Sequence, residues 1–357
     1  MSRFFQLNVK EVKKETDDSV AIAFDVHDSL QNLFSYKPGQ YLTLKFNIKG
    51  EEVRRSYSLC SAPSVDRNPI IGIKRVKDGL VSNYINDTIS VGDSIEVMPP
   101  EGNFYIETND SVAKNYYLFA AGSGITPILS ILKSILYNEK SSKVFMLYGN
   151  RRQDSIMFKD ELEQLQNDFT DRFILKHYLS KPKSSLWSKK SKMNYEKGRI
   201  DRSAVKAFIT QHTPDSKVGG YYICGPGTMI TDTKEALLNS SINEDLIHFE
   251  SFGDSKSEVD NTEGFDNAAL TALLDDETIE INIPKGKTIL RALIDQEYDP
   301  PYSCEGGVCS TCICMLKKGK VHMRNNTSLT DGEIEEGYIL SCQSIPLTEE
   351  IEVEFEY

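Results

Sequence analysis

Cys304, Cys309 and Cys312 follow one another in a C-x4-C-x2-C spacing, and twenty-nine residues separate Cys312 from Cys342. Four thiolates so spaced can hold two irons, the plant-type arrangement of a 2Fe-2S cluster. Gly306 and Gly307, inside CEGGVCSTC, permit a tight loop whose backbone N–H groups approach cluster sulfurs and tune the potential. A structural zinc is the alternative, but zinc sites commonly pair two C-x2-C motifs and only one such spacing occurs here. His27, His177, His212, His248 and His322 are scattered and none stands beside a cysteine, so a Rieske arrangement is unsupported. Cys314 is an odd thiol. On a strand it would share a face with Cys312, as a spare ligand or, as is commoner for a free cysteine, as packing.

The same third of the chain holds the acidity. Residues 253–357 carry 8 basic against 22 acidic side chains, net −14, whereas residues 1–252 carry 33 against 31. Such a field argues against a nucleic-acid partner and for steering toward a positively charged protein face; plain solubilisation is the blander reading. A length of 357 residues predicts two or three domains. With 39% hydrophobic and 26% charged residues the composition is that of a globular chain, which rules out a disordered one. The apolar run Tyr116 to Leu136 is broken by Gly, Ser, Pro and Lys, so no membrane span is expected. The N-terminus lacks a secretory pattern, and the cytoplasm is the expected compartment.

Three kinds of element must position these groups. From Leu7 to about Ile106 short alternating runs, SVAIAFDV (Ser19 to Val26) and YLTLKFNI (Tyr41 to Ile48), are punctuated by turns such as KPGQ (Lys37 to Gln40), which suggests an antiparallel β-barrel. After EGNF (Glu101 to Phe104) strands and helices alternate: YYLFAA, TPILSILKSILYNE, KVFMLYGN, DELEQLQNDF, RFILKHYL and VGGYYICGP imply a parallel α/β sheet. GDSKSEVDNTEG (Gly253 to Gly264) is polar and reads as a linker. Beyond it, TIEINIPKGKTILRALIDQ gives strand, turn and helix, and EIEVEFEY a final strand. The expected domains are 1–108, 112–252 and 265–357, with 253–264 between the last two.

PYSCEGGVCSTC together with GYILSCQSIP (Gly337 to Pro346) resembles the C-terminal plant-type ferredoxin domain of flavin oxidoreductases related to ferredoxin–NADP reductase. The similarity covers essentially the whole chain, with the motifs in the family's order. It implies an FAD-binding β-barrel, an NAD(P)-binding α/β domain and an α+β β-grasp ferredoxin domain. RSYSLCSAP matches the family's flavin signature: by resemblance Arg55 contacts the pyrophosphate, Tyr57 packs on the isoalloxazine and Ser58 bonds its reactive nitrogen. The chemistry is general, since a cation neutralises phosphate, an aromatic face stacks on a planar ring and a hydroxyl tunes ring electronics. Gly79, Val81 and Ser82, in GLVS, fit the turn at a helix start that offers free N–H groups to phosphate. PPEGNF resembles FAD-binding more than FMN-binding members.

AAGSGITP follows an expected strand and opens a helix; Gly122 and Gly124 allow close backbone approach, Thr126 stands in the first turn, and the third glycine of the Rossmann fingerprint is missing. YICGPGTM resembles the family's Cys-Gly-Pro turn at the nicotinamide, with Cys224 near the hydride-transfer carbon and Gly225 and Pro226 beside it. Arg151 and Arg152 follow KVFMLYGN where the family recognises the adenosine ribose, and a guanidinium suits a 2′-phosphate, so NADPH is expected over NADH. In HFESFG (His248 to Gly253) the resemblance gives Phe252 as the aromatic over the flavin face, with a core phenylalanine as the competing reading. The implied activity is electron transfer from NADPH through FAD and a 2Fe-2S cluster to an oxygenase, by resemblance a di-iron monooxygenase of the phenylacetyl-CoA epoxidase kind. Reductases of other ring oxygenases, desaturases or haem oxygenases share these parts, and a zinc-stabilised flavin-binding interaction module is a rival of another class.

Overall fold

The computed structural model describes residues 4–182, 194–253, 262 and 264–355. These form two compact units, one containing Phe4–Val53 and Tyr57–Glu250, the other Arg54–Ser56 of the fourth strand and the cysteine-bearing segment from Ser251 onward. Most of the expected linker 253–264 lies outside the described residues.

The first unit opens with β1 (Phe5–Thr16), β2 (Ser19–Asp25), β3 (Tyr41–Ile48), β4 (Glu51–Ser58), β5 (Ile70–Lys74), helix α1 (Leu80–Thr88) and β6 (Ser94–Val97). The sheet order is β4-β3-β6-β1-β2-β5, and an antiparallel bridge from Leu59 to Ile71 joins its two edges, closing the expected barrel. Leu7, Val9, Phe24, Leu42, Leu44 and Ile73 fill its interior. In β1 the two-residue pleat puts Leu7 and Val9 inside and Gln6, Asn8 and Lys10 outside. The neighbouring β2 departs from the half-buried alternation that SVAIAFDV suggests: Ser19 to Phe24 are all buried. Ile22 and Phe24 face the barrel interior, while Ala21 joins the core of the next domain.

That domain consists of β7 (Lys114–Ala121), α2 (Ile125–Asn138), β8 (Lys143–Asn150), α3 (Lys159–Asp168), β9 (Phe173–Leu179), β10 (Tyr195–Lys197), α4 (Arg202–Gln211), β11 (Lys217–Cys224), α5 (Gly227–Leu238) and β12 (Ile247–Glu250). Its parallel sheet runs β10-β9-β8-β7-β11-β12. The chain starts at β7, builds outward to β10, then returns to the other side of β7 with β11. The order therefore reverses between β7 and β11, and in open α/β sheets ligands bind outside the carboxyl ends of the strands at such a switch.

Helix α2 is buried from Ile125 to Leu136, because it lies between this sheet and the barrel. Ser130 Oγ donates to the Ser61 carbonyl, and Lys133 pairs with Asp66 of the barrel at 2.7 Å and with Glu161 of α3 at 2.6 Å. Ala21, Cys60, Phe104 and Ile106 of the barrel share one apolar core with α2 and the sheet. Truncating a fully buried leucine here, Leu132 for example, costs about 2–5 kcal/mol.

The second unit contains β13 (Ala268–Leu274), β14 (Glu277–Ile283), α6 (Ile289–Asp295), β15 (Ile313–Lys318), β16 (Val321–Met323), α7 (Asp331–Glu335), β17 (Tyr338–Leu340), β18 (Ser344–Pro346) and β19 (Glu350–Glu354). The main sheet runs β14-β13-β19-β15-β17, with β13 and β19 parallel and their outer neighbours antiparallel; β16 and β18 form a separate antiparallel ribbon. Helix α6 covers the sheet through Ile289, Ala292 and Leu293, its N-terminus capped by the Thr288 hydroxyl accepting from Arg291 N–H. This is the α+β arrangement expected of the third domain.

Candidate functional site

At the switch point the turn Gly122–Gly124 meets the Cys224–Gly225 turn. A Cβ on Gly124 would stand 2.2 Å from the Cys224 carbonyl oxygen, so that position excludes any side chain; one on Gly225 would stand 2.7 Å from Met229 Cε and 3.2 Å from Ala121, so a side chain there would have to displace the methionine end. Gly122 has φ +57, in the left-handed region that glycine enters at little cost. Thr126 is buried: its hydroxyl donates to the Ser123 carbonyl at 3.0 Å, and its methyl stands 2.5 Å from where a Cβ of barrel residue Gly72 would be. What Thr126 presents to a ligand is thus main chain. Pro226 caps α5 in extended conformation and is exposed.

Ser58, the last residue of β4, reaches the same edge. Its Oγ donates to Glu250 Oε2 at 3.3 Å, and Glu250 is the register partner of Cys224 across β12 and β11. Three strand ends thus bring together a hydroxyl, a carboxyl and a thiol. The Cys224 thiol is fully buried, and burial reinforced by the Glu250 carboxyl pushes its pKa well up, so it is a neutral wall. Part of the Glu250 residue stays open to water, but its carboxyl is closed in by protein; burial raises its pKa to about 8, and the hydrogen bond from Ser58 only partly offsets this. Near neutral pH burial therefore favours the protonated carboxyl. HFESFG points to Phe252, whereas the group that meets Ser58 is Glu250 two residues earlier, a carboxylate ending a strand otherwise written Ile-His-Phe. Phe252 lies just past β12 and is 40% exposed, so it is not a core residue.

On the barrel, Arg55 is exposed on β4 with Nη1 donating to the Arg54 carbonyl at 2.6 Å, and Tyr57 is half-buried against the barrel core. Gly79 is the N-cap of α1 and makes no side-chain cap; a Cβ there would meet Ser82 Oγ at 2.8 Å. The Ser82 hydroxyl accepts from Val76 N–H at 3.1 Å, and the Val81 side chain lies in the barrel core. This turn therefore offers main-chain N–H groups of an uncapped helix start, the donor set that a phosphate takes. Arg151 and Arg152 stand at the end of β8. Arg152 Nε pairs with Asp154 at 2.8 Å, and the Arg151 carbonyl accepts from Lys181 N–H, which places a second cationic residue beside Arg151. Residues 176–197 hold seven Lys against one Glu, and 183–193 of that run lie outside the described residues.

In the second unit the thiols of Cys304, Cys309, Cys312 and Cys342 are gathered. The four thiols meet in a chain of contacts: Cys309 Sγ is 3.1 Å from Cys304 Sγ, and Cys342 is in hydrogen-bonding contact with Cys304 and Cys312. Four cysteine thiols gathered in one region are the donor set that a 2Fe-2S cluster would take. Hydrogen bonds from the Cys309 and Cys342 thiols, then from Gly306 and Val308 N–H, hold the Cys304 thiol far below its usual range. The thiolate on Cys304 and burial hold Cys309 and Cys342 up. Four thiolates so close are satisfied by a positive metal core. Glu305 and Gly307 have φ +50 and +73, which curls the loop, and Asn325 Nδ2 and Thr327 N–H brace the Gly306 and Gly307 carbonyls. Cys314 is buried with Leu270, Ile289 and Val353 in the sheet core, so of its two readings the structure has packing.

Three family descriptions match in chain order: oxidoreductase FAD-binding domain over residues 6–106, oxidoreductase NAD-binding domain over 118–235, and 2Fe-2S iron–sulfur cluster binding domain over 273–347. The last decides for the cluster over zinc. The chain is 35% identical to a component of the 1,2-phenylacetyl-CoA epoxidase of Escherichia coli K12, covering 100% of this chain and 99% of the relative. It is 34% identical to the ferredoxin reductase component of 3-ketosteroid-9-alpha-monooxygenase from Rhodococcus rhodochrous, covering 99% and 97%. The fold is similar to that of phthalate dioxygenase reductase, with TM-score 0.59 and 24% identity over 99% of this chain and 98% of that one. No helix among the described residues is long and apolar enough to cross a membrane. With the three domains in order and full-length likeness at this identity, the chain belongs to the flavin iron–sulfur oxidoreductases, the reductase components of monooxygenases.

Proposed function

We propose that the protein draws electrons from NADPH and delivers them, through FAD and the 2Fe-2S centre, to a di-iron monooxygenase of the phenylacetyl-CoA epoxidase kind. The observation that carries the reading is the end-to-end likeness to the E. coli epoxidase component. Bound FAD exchanges an electron pair with nicotinamide as hydride and single electrons with a cluster, so the protein's task is to place rings, bind phosphates and set potentials.

In this reading the domains run 1–108, 112–252 and 265–357. Arg55 neutralises the flavin pyrophosphate beside the main-chain N–H groups of Gly79, Val81 and Ser82, Tyr57 packs on the ring, and Ser58 bonds its reactive nitrogen. Gly122, Gly124, Thr126, Gly225 and Pro226 present backbone to the dinucleotide, and Cys224 lines the place where hydride passes. Glu250 gives Ser58 a partner that can hold or release a proton at Oε2. Arg151 and Arg152 recognise the 2′-phosphate, and Phe252 covers the flavin face. Cys304, Cys309, Cys312 and Cys342 ligate the cluster. The net charge of −14 over residues 253–357 steers this domain to a basic face of the oxygenase, so raising ionic strength slows electron delivery.

The test is coupled turnover: NADPH oxidation with the purified di-iron epoxidase and phenylacetyl-CoA, against the same assay with a ring-hydroxylating steroid oxygenase. Product formation with the first is expected. Turnover with the steroid oxygenase alone would replace the di-iron acceptor by the second reading, for which the R. rhodochrous relative gives the ground.

A further inference from the structure

Gln343 follows the fourth cysteine, and neither the spacing of the thiols nor the electron path uses it. Its main-chain N–H is spent on the Leu340 carbonyl at 2.9 Å, and its side chain turns back over the cysteine loop. Nε2 donates to the Glu305 carbonyl at 2.8 Å and to the Cys342 carbonyl at 3.1 Å, and stands 3.7 Å from Cys342 Sγ. The stem lies against Gly307, where an added Cβ would be 2.9 Å from Gln343 Cγ and 2.4 Å from the Asn325 carbonyl oxygen. Glycine at 307 is therefore what lets the amide come so near. One side chain ties the residue after the first ligand to the fourth ligand and sets an N–H dipole beside that ligand's sulfur.

We propose that Gln343 is a positioning residue that raises the reduction potential of the cluster by holding an amide N–H, shared with the Cys342 carbonyl, beside Cys342 Sγ. This rests on the four cysteines as ligands. One-electron reduction adds negative charge to the cluster and its sulfurs, and a donor aimed at a ligand sulfur stabilises that charge. The main-chain donor, Gly306 N–H to Cys304 Sγ at 3.3 Å, belongs to the same peptide unit as the Glu305 carbonyl that Gln343 holds, so the share of the side-chain amide itself is read from its 15N hyperfine coupling.

The experiment is an anaerobic redox titration of holoprotein followed by electron paramagnetic resonance, comparing wild type with Gln343→Met, which fills the same space without a donor. The expected result is an unchanged rhombic signal and full cluster content with a lower cluster midpoint. At the wild-type midpoint the reduced-to-oxidised ratio falls about threefold, or ~28 mV at ~59 mV per tenfold for a one-electron couple. The FAD midpoint, measured in the same sample, stays where it was. A cluster midpoint equal to wild type in fully loaded Gln343→Met overturns the role of Gln343 and leaves the ligand set standing. Absence of any 2Fe-2S signal in reduced wild type would instead remove the ligand set. Should the variant fail to assemble a cluster, reduced wild type labelled with amide-15N glutamine decides: a hyperfine coupling to a side-chain nitrogen is expected, and its absence overturns the proposal.

Discussion

The cysteine loop and the Ser58–Cys224–Glu250 edge each gather reactive groups in a sheltered place, but they are assembled in different ways. In the loop, three of four thiols come from the nine residues 304–312, and local backbone at Glu305 and Gly307 fixes their spacing. At the strand ends, each group comes from a different strand, β4, β11 or β12, and its place is set by register and by the shared core around α2. A one-residue slip of β12 would turn Glu250 to the opposite face. A loop site thus depends on a few dihedral angles and can be read from spacing, whereas a strand-end site depends on the packing of two domains and is lost or kept with it.

Cys309→Ser should separate the two sites most clearly. It should abolish the 2Fe-2S signal and electron delivery to the oxygenase, while NADPH-driven ferricyanide reduction through the flavin survives; loss of both activities would show that the loop and the strand-end site are not separable. Next is Glu250→Gln, which keeps the shape and removes the titration. The wild-type carboxyl has a folded pKa raised from 4.5 to about 8, so the folded state holds a proton that the unfolded state releases. Its contribution to stability is full below about 4.5 and is lost as pH rises toward about 8, by a few kcal/mol at most because part of the residue is open to water. Urea unfolding at pH 5 and pH 8 should show this drop in wild type and a smaller one in Glu250→Gln, and hydride transfer should lose its pH dependence near 8.

A smaller effect is expected at the nucleotide end. Arg151→Ala should cut kcat/KM for NADPH about tenfold, or ~1.4 kcal/mol, with little change for NADH; equal losses with both cofactors would move the 2′-phosphate elsewhere. Least of all should follow from Cys314→Ala, which costs about 1 kcal/mol of stability in chemical denaturation and leaves iron content unchanged.

The contrast also explains what could be read from the chain. The cysteine set and β8, whose bounds Lys143–Asn150 coincide with the run KVFMLYGN, were legible because spacing and apolar patterning are local. The double burial of β2 was not, since Ala21 faces a helix more than a hundred residues away in sequence. Glu250 escaped for the same reason: Ile-His-Phe-Glu reads as any short strand until Ser58 is brought against it. Gln343 escaped because its role lies in a turn that carries it back to Glu305.

The pairing of β13 with β19 at the centre of the cysteine-bearing sheet has a consequence for biosynthesis. Domains generally fold as units while the chain emerges, at ~5–20 residues per second. The barrel and nucleotide sheet are complete once Glu250 has left the ribosome, whereas the cysteine loop, finished at Cys312, must wait for Glu350–Glu354 before its sheet acquires its middle strand. Iron and sulfide loading therefore belongs to a late stage of maturation, after the flavin-bearing part can already have taken up its own cofactor.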